Sequence, residues 1–360
     1  DALFEDNVKD GMYLFDTATA SITFTNVATQ PVVSLLRNFS APVNLEFNYS
    51  DEQLAFLLRY ETNGFNQWQA SQTLLENILL KDHNAQVYLD AISAPDFLGK
   101  LISTDPLLVS RLFDVPTEGY LASRIDQNYN PLVIKEKREA LLNAVATIFK
   151  GFWKNVYQVL DEPEDFSQAM GVRAVKNIAL SMMARQGDDE VFTLAEAQYR
   201  TTKNMSLRLG ALKVLVWNDA PQAESALIDF YLRFKDEALS MDQWFMIQAA
   251  HPKADADTIA YLTSHPDYDL AVPNRIRSVS GGLNANPVNT WSFGVQHFID
   301  LAKYLDEKNP IIGSRLLQVL SRWYTLAEPQ RSEVQAQLEA LKPLVKSKNV
   351  SETLNSMLTI

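Results

Sequence analysis

The stretch Asn48-Tyr49-Ser50-Asp51-Glu52-Gln53-Leu54 decides the fold, because the spacing of apolar side chains changes inside it. Ser50 with Gln53 three residues on has the form of a capping box. In that motif the hydroxyl accepts from the third helical N–H and the glutamine side chain reaches back to the cap. On the N-terminal side, Val43-Asn44-Leu45-Glu46-Phe47-Asn48-Tyr49 alternates apolar and polar residues, the two-residue period of a half-buried strand. Ser21-Ile22-Thr23-Phe24-Thr25 alternates in the same way, Met12-Tyr13-Leu14-Phe15 is a short apolar run, and Pro31 and Pro42 punctuate the segment. Three or four strands with no helix to cover them make a poor independent core. Residues 1–48 are therefore expected to be part of a β-sandwich whose other strands are missing, rather than a complete small sheet.

On the C-terminal side, residues 49–360 read as helix almost throughout. Trp68, Leu75, Ile78 and Leu79 recur at helical spacing, as do Leu141, Val145, Ile148, Phe152 and Val156. Residues 131–160 form the longest candidate, opening on Pro131 at a first-turn position. Shorter candidates follow at 163–186, 189–200, 205–217, 221–235, 241–250, 254–263, 273–279, 287–305, 310–324, 329–341 and 351–358. Antiparallel pairs at a spacing of roughly 40 residues predict a mainly α chain, an armadillo- or HEAT-like solenoid built as a superhelix of helix pairs. No repeat consensus is visible, so helix number and length carry that reading. Residues 84–127 are the least regular part and are expected to hold longer loops.

Composition removes several function classes. With 47% hydrophobic and 21% charged residues, the 360-residue chain has the make-up of a soluble globular protein. No apolar run approaches the ~20 residues that span a bilayer, so no membrane partner is expected. The first residues lack the basic and apolar segments of a signal peptide. The net charge of −12 argues against a nucleic-acid groove, which needs a basic face. The absence of cysteine removes disulfides and thiolate metal sites and fits a cytoplasmic setting.

The chemistry-bearing motifs are mostly missing. The four histidines, His83, His251, His265 and His297, form no His-Glu-x-x-His, and no two lie four apart. A local metal site is therefore not expected. His251-Pro252 and His265-Pro266 read as helix-end residues. Gly281-Gly282 reads as a helix C-cap. The acidic run Asp161-Glu162-Pro163-Glu164-Asp165 reads as complementing the dipole of the helix behind it. Trp153, Trp217, Trp244, Trp291 and Trp323 read as core. Two arginine sites stand out. Pro273-Asn274-Arg275-Ile276-Arg277-Ser278 starts a helix with two cations on different faces. Asn309-Pro310-Ile311-Ile312-Gly313-Ser314-Arg315-Leu316 has an Asn cap, Pro at the first position and one Arg among apolar neighbours. Taken by themselves these arginines read as surface or ion-paired cations.

Several of these blocks, in this order, resemble the C-terminal part of bacterial aminopeptidase N, a gluzincin zinc metallopeptidase family. They are Gln30-Pro31-Val32 with Leu36, Phe39-Ser40-Ala41-Pro42-Val43, Ser50-Asp51 with Gln53-Leu54, and Met241-Asp242-Gln243-Trp244-Phe245. Residues 273–278 and Asn309-Pro310 with Ser314-Arg315-Leu316 complete the set. The match spans essentially the whole chain and is loose from about residue 84 to 198. The resemblance implies an end-of-sandwich remnant over 1–48 and a helical cap domain over 49–360. It implies a full-length broad-specificity zinc aminopeptidase of the alanyl type. The zinc would be held by a His-Glu-x-x-His and a downstream Glu, and the substrate amine by a Gly-Ala-Met-Glu-Asn loop. All of these motifs are absent here, so the chain by itself is expected to bind no zinc and to be inactive. In the family the helical domain is a bowl over the catalytic domain of the same polypeptide. The residues matching Arg277 and Arg315 face the cavity that receives the peptide substrate beyond its first residue. Ile311 departs from a polar residue in a relative. A monomer is expected, and the competing reading is a stand-alone helical scaffold for a protein partner. The orphan β-segment favours the enzyme part over the scaffold.

Overall fold

The computed structural model describes residues 8–9, 12–43, 45–187 and 189–359. Two short strands, β1 (Val8–Lys9) and β2 (Met12–Tyr13), pair antiparallel with Val8 opposite Tyr13. The alternating runs at 21–25 and 43–49 join no ladder among the described residues, from which Asn44 is excluded. Most of their apolar side chains face solvent, with Phe24 53% and Leu45 48% exposed, while Tyr49 packs half-buried against the helical core. Alternation prepares one face for burial, but a strand also needs a neighbour for its backbone groups, and none pairs with these runs among the described residues.

At residue 50 the capping box forms as the spacing predicts. Gln53 N–H donates to Ser50 Oγ at 3.2 Å, and Ser50 N–H donates to Gln53 Oε1 at 2.9 Å. It opens α1 (Asp51–Tyr60), followed by α2 (Gly64–Lys81). The region expected to be loops instead holds four short helices: α3 (Ala85–Ile92), α4 (Phe97–Thr104), α5 (Pro106–Leu112) and α6 (Glu118–Ser123). Side-chain caps from Asn84, Asp105 and Thr117 start three of them, so polar residues that look like loop signals are helix caps.

The long candidate at 131–160 is two helices, α7 (Pro131–Ile148) and α8 (Lys150–Val159). The break falls at Phe149, whose ring packs 5.5 Å from that of Phe113. Trp153 of α8 lies 4.5 Å from the same ring, so an aromatic cluster holds the bend. Beyond it run α9 (Phe166–Ala184), α10 (Asp189–Thr201), α11 (Met205–Trp217), α12 (Ala223–Phe234), α13 (Ala238–Ala249), α14 (Ala256–Thr263) and α15 (Pro273–Asn284). Helices α9, α11, α13 and α15 pack side by side as one layer. Helices α10, α12 and α14 fill a second layer, each against two members of the first. This is the superhelix of helix pairs expected from the sequence.

The Gly281-Gly282 pair does not end a helix; it lies inside α15. A Cβ on Gly282 would sit 2.7 Å from Ala249 Cβ and 2.9 Å from the Met246 carbonyl oxygen. The glycine is there because α13 and α15 touch at that point, a need that local spacing does not reveal. The 287–305 candidate is α16 (Pro287–Asn289), a π-turn over Thr290–Gly294 and α17 (Val295–Lys308). Next come α18 (Pro310–Leu317), 3-10 turns at Gln318–Leu320 and Trp323–Thr325, α19 (Gln330–Leu341) and α20 (Lys348–Leu358).

One hydrophobic core runs from α1 to α20. The C-terminal end also returns to the middle of the chain. Tyr129 N–H donates to Thr325 O at 2.7 Å, Ala327 N–H donates to Tyr129 O at 2.9 Å, and Arg322 donates to Ile125 O at 2.7 Å. Trp153, Trp244, Trp291 and Trp323 are buried, and Trp217 is half-buried with its Nε1–H donating to Ile247 O.

Candidate functional site

Helix α15 begins at Pro273, whose fixed φ suits the first helical position, and its next two turns carry Arg275 and Arg277. Two residues apart, their side chains leave the helix on different sides. Arg275 turns inward and is 9% exposed. Its Nε donates to Asp242 Oδ1 at 2.8 Å, another nitrogen donates to the Asp267 carbonyl, and the guanidinium lies 4.9 Å over the Phe245 ring. Asp242 and Phe245 belong to α13, so the two sequence blocks at 241–245 and 273–278 are one interlocked unit. Arg275 ties α13 to α15.

Arg277 turns outward. Among the described residues its one hydrogen bond runs from Nε to the Pro273 carbonyl of its own helix, at 3.3 Å. No carboxylate pairs with it among the described residues. It borders an open cavity of about 480 Å³ on the layer formed by α11, α13 and α15. Met205, Leu209, Leu239 and Met246 supply an apolar floor, and Gln243, Asn274 and Ser278 supply neutral polar groups. Asp242 also reaches this cavity, but its carboxylate is engaged by Arg275. The site therefore offers one unpaired cation beside apolar surface, the chemistry that takes a carboxylate or peptide carbonyl joined to an apolar group.

Arg315 lies on α18, which starts as the sequence predicts: Asn309 Oδ1 accepts from Ile312 N–H at 3.3 Å, with Pro310 at the first position. Its neighbours Ser314 and Leu316 are buried while Arg315 and Ile311 are exposed. Arg315 also has no ion-pair partner among the described residues, and it does not line the cavity beside Arg277. Spacing and residue type alone treat Arg275 and Arg277 as equals. Only the three-dimensional meeting of α13 with α15 separates them, since Asp242 is 33 residues from Arg275.

The histidines are dispersed. His83 Nδ1 lies 2.7 Å from Asp51, His251 Nε2 lies 3.1 Å from Asp219, and His265 Nδ1 lies 3.9 Å from Asp267. His297 sits 3.4 Å from Ser280 Oγ, and burial pushes its pKa down to about 4 against a smaller upward pull from Asp300. His251 and His265 do follow helix ends, as expected. No group of three His, Cys, Asp or Glu side chains among the described residues is placed to hold a metal ion. In the acidic run before α9, Glu162 pairs with Arg173 at 2.9 Å.

Residues 51–359 match the family described as "Domain of unknown function (DUF3458_C) ARM repeats". The chain belongs to this ARM-repeat family. Residues 4–48 match a companion family described as "Domain of unknown function (DUF3458) Ig-like fold". The ARM-repeat chain is 30% identical over 362 residues to Aminopeptidase N of Escherichia coli (strain K12), covering 95% of this chain and 40% of that protein. It is 28% identical over 359 residues to Aminopeptidase N of Caulobacter vibrioides, covering 96% and 41%. It thus spans about 40% of the length of the curated relatives it matches. In fold it is similar to the crystal structure of Legionella pneumophila aminopeptidase A in complex with aspartic acid. The TM-score is 0.80 at 24% identity, over 93% of this chain and 41% of that one.

Proposed function

We propose that this chain is the C-terminal cap of an aminopeptidase that removes N-terminal residues from peptides, with residues 1–48 completing an Ig-like β-sandwich and residues 49–360 covering the active-site cavity. The observation that carries this reading is the near end-to-end similarity to Aminopeptidase N, 95% of this chain against 40% of the relative. The exposed apolar residues of the first segment, Phe15, Phe24 and Leu45 among them, support the sandwich assignment, since exposed apolar side chains are ones that further strands would bury.

In this reading the cap holds the peptide beyond its first residue. Arg277 and Arg315 are the contacts: both are exposed cations without an ion-pair partner among the described residues, and a guanidinium fork matches a carboxylate or two peptide carbonyls. Arg275, two residues from Arg277, has a structural partner and serves the fold instead.

A zinc ion is the metal this family resemblance implies, and the residues present do not fit one. The four histidines each sit in a separate place, and no three ligating groups converge among the described residues. In this reading the zinc, its water and the group that binds the substrate amine would belong to the rest of the polypeptide, and no catalytic step is assigned to residues of this chain. The partners are the catalytic domain of the same polypeptide and the peptide substrate, in a cytoplasmic monomer. No helix among the described residues is long and apolar enough to cross a membrane.

An assay with an aminoacyl chromogenic substrate tests the division of labour. The isolated chain should show no turnover with or without added zinc, whereas the complete polypeptide should turn over and lose activity to a chelator. Chelator-sensitive hydrolysis by the isolated chain would place a catalytic centre within it and overturn the reading.

A further inference from the structure

A second surface, unrelated to Arg277, lies on the opposite layer of the superhelix. Helices α12 and α14 both pack on α13 and leave an open groove of about 680 Å³ between them, floored by Trp244 and Gln248 of α13. One wall is the α12 face carrying Leu227, Ile228, Tyr231 and Leu232, and the other carries Thr258 and Tyr261 of α14. Three of these apolar side chains stand open to solvent: Ile228 at 53%, Leu232 at 64% and Tyr261 at 62%. From Glu224 to Leu232 the α12 wall is about 12 Å long at 1.5 Å per residue, the length of about two helical turns.

The groove lies in an acidic stretch of the chain. Residues 219–269 hold ten of the acidic side chains and only three of the Lys and Arg side chains, a net −7 out of the chain's −12. Of those three cations, Arg233 is bound to Asp229, and Lys253, which lines the groove beside Asp219, is bound to that carboxylate. At one end of the groove Glu224 has no ion-pair partner among the described residues. Beyond the other end, next to the lining residues Tyr231 and His265, Asp267 accepts a hydrogen bond from Tyr231 Oη at 2.7 Å and lies 3.9 Å from His265 Nδ1. An apolar trough two turns long, with the unpaired Glu224 at one end and Asp267 just beyond the other, is complementary to a short helix with apolar residues at i, i+3, i+4 and i+7 and Lys or Arg flanking them.

We propose that the α12–α14 groove is a docking site for a basic amphipathic helix of a protein partner. The apolar stripe of the helix fills the trough over Trp244, and its flanking cations face Glu224 and Asp267. This inference does not rest on the aminopeptidase reading.

Fluorescence anisotropy with a labelled two- to three-turn Leu/Lys helical peptide, titrated against the full chain, tests it. Saturable binding at micromolar concentration is expected. The same peptide with Glu in place of Lys should bind at least tenfold more weakly, and so should a scrambled peptide that breaks the apolar stripe. Leu232→Glu and Ile228→Glu should each weaken the Leu/Lys peptide at least tenfold. Both side chains are largely exposed, so the variants should keep the helical dichroism signal of the parent. Val159→Glu on α8, 65% exposed and outside the groove, should leave binding unchanged. Equal affinity for parent and Leu232→Glu, or for ordered and scrambled peptides, would mean diffuse charge attraction and overturn the proposal. So would the absence of saturable binding.

Discussion

Arg275 and Arg277 sit on one helix, two residues apart, the first buried and ion-paired and the second exposed, so exchanging each in turn should affect stability very differently. Arg275→Met keeps most of the side-chain volume but removes the cation from Asp242, which is itself 9% exposed. Breaking a buried pair by removing one partner costs about 3–5 kcal/mol, because the other charge stays buried without compensation. At about 2 °C per kcal/mol for a domain of this size, the thermal midpoint should fall by about 6–10 °C. Replacing both partners, as in Arg275→Met with Asp242→Leu, should recover much of that loss, since no uncompensated charge remains. Arg277→Ala removes an exposed side chain bonded only to its own helix, and should stay within about 0.5 kcal/mol of the parent. Thermal unfolding followed by far-ultraviolet circular dichroism reads all three variants. A small effect for Arg275→Met, or an equal loss for Arg277→Ala, would refute the division between the two arginines.

The glycine pair makes a second contrast: Gly282→Ala should destabilise by about 1–3 kcal/mol, because the backbone of α13 cannot retreat from a new Cβ. Gly281→Ala meets only the flexible end of Met246 and should be neutral or stabilising by up to about 1 kcal/mol; chemical denaturation measures both. His297, with its pKa lowered to about 4 from 6.5, binds fewer protons folded than unfolded. Its contribution is therefore intact above the unfolded pKa and is lost as pH falls from 6.5 towards 4, by at most about 3 kcal/mol at 1.36 kcal/mol per unit. Stability measured across that window should fall more steeply for the parent than for His297→Leu, and parallel curves would contradict the burial of an uncharged imidazole. Deleting residues 1–48 should leave the helical dichroism signal largely intact, since α1 to α20 share their own core. The junction contacts it removes, such as Arg37 with Glu61 and the Phe39–Phe65 ring contact, should cost stability without abolishing cooperative unfolding.

Helix starts were the most legible features, because their signals are local. Ser50 with Gln53, and Asn309 with Pro310, carry the chemistry of a cap within four residues, and both form as read. Features set by distant partners were not legible. The bend at Phe149 depends on Phe113, the placement of Gly282 depends on Ala249, and the pairing of strands at 21–25 and 43–49 depends on neighbours those runs do not contain. The candidate site divides along the same line. The two arginine blocks stand out in the sequence, but which arginine is free follows from Asp242, and the cavity floor of Met205, Leu209 and Met246 is drawn from separate helices.

The central claim, that this chain grips the distal part of a peptide for a catalytic centre elsewhere in the polypeptide, is tested most directly by kinetics on the complete enzyme. The comparison is kcat/KM for a peptide of several residues against a single-residue amide, in the parent, Arg277→Ala and Arg315→Ala. A charge-assisted hydrogen bond contributes about 1.5–3 kcal/mol, so each substitution should lower kcat/KM for the long peptide by about one to two orders of magnitude. The single-residue amide does not reach the arginines, and its turnover should change little. Equal losses on the long and short substrates would contradict the account.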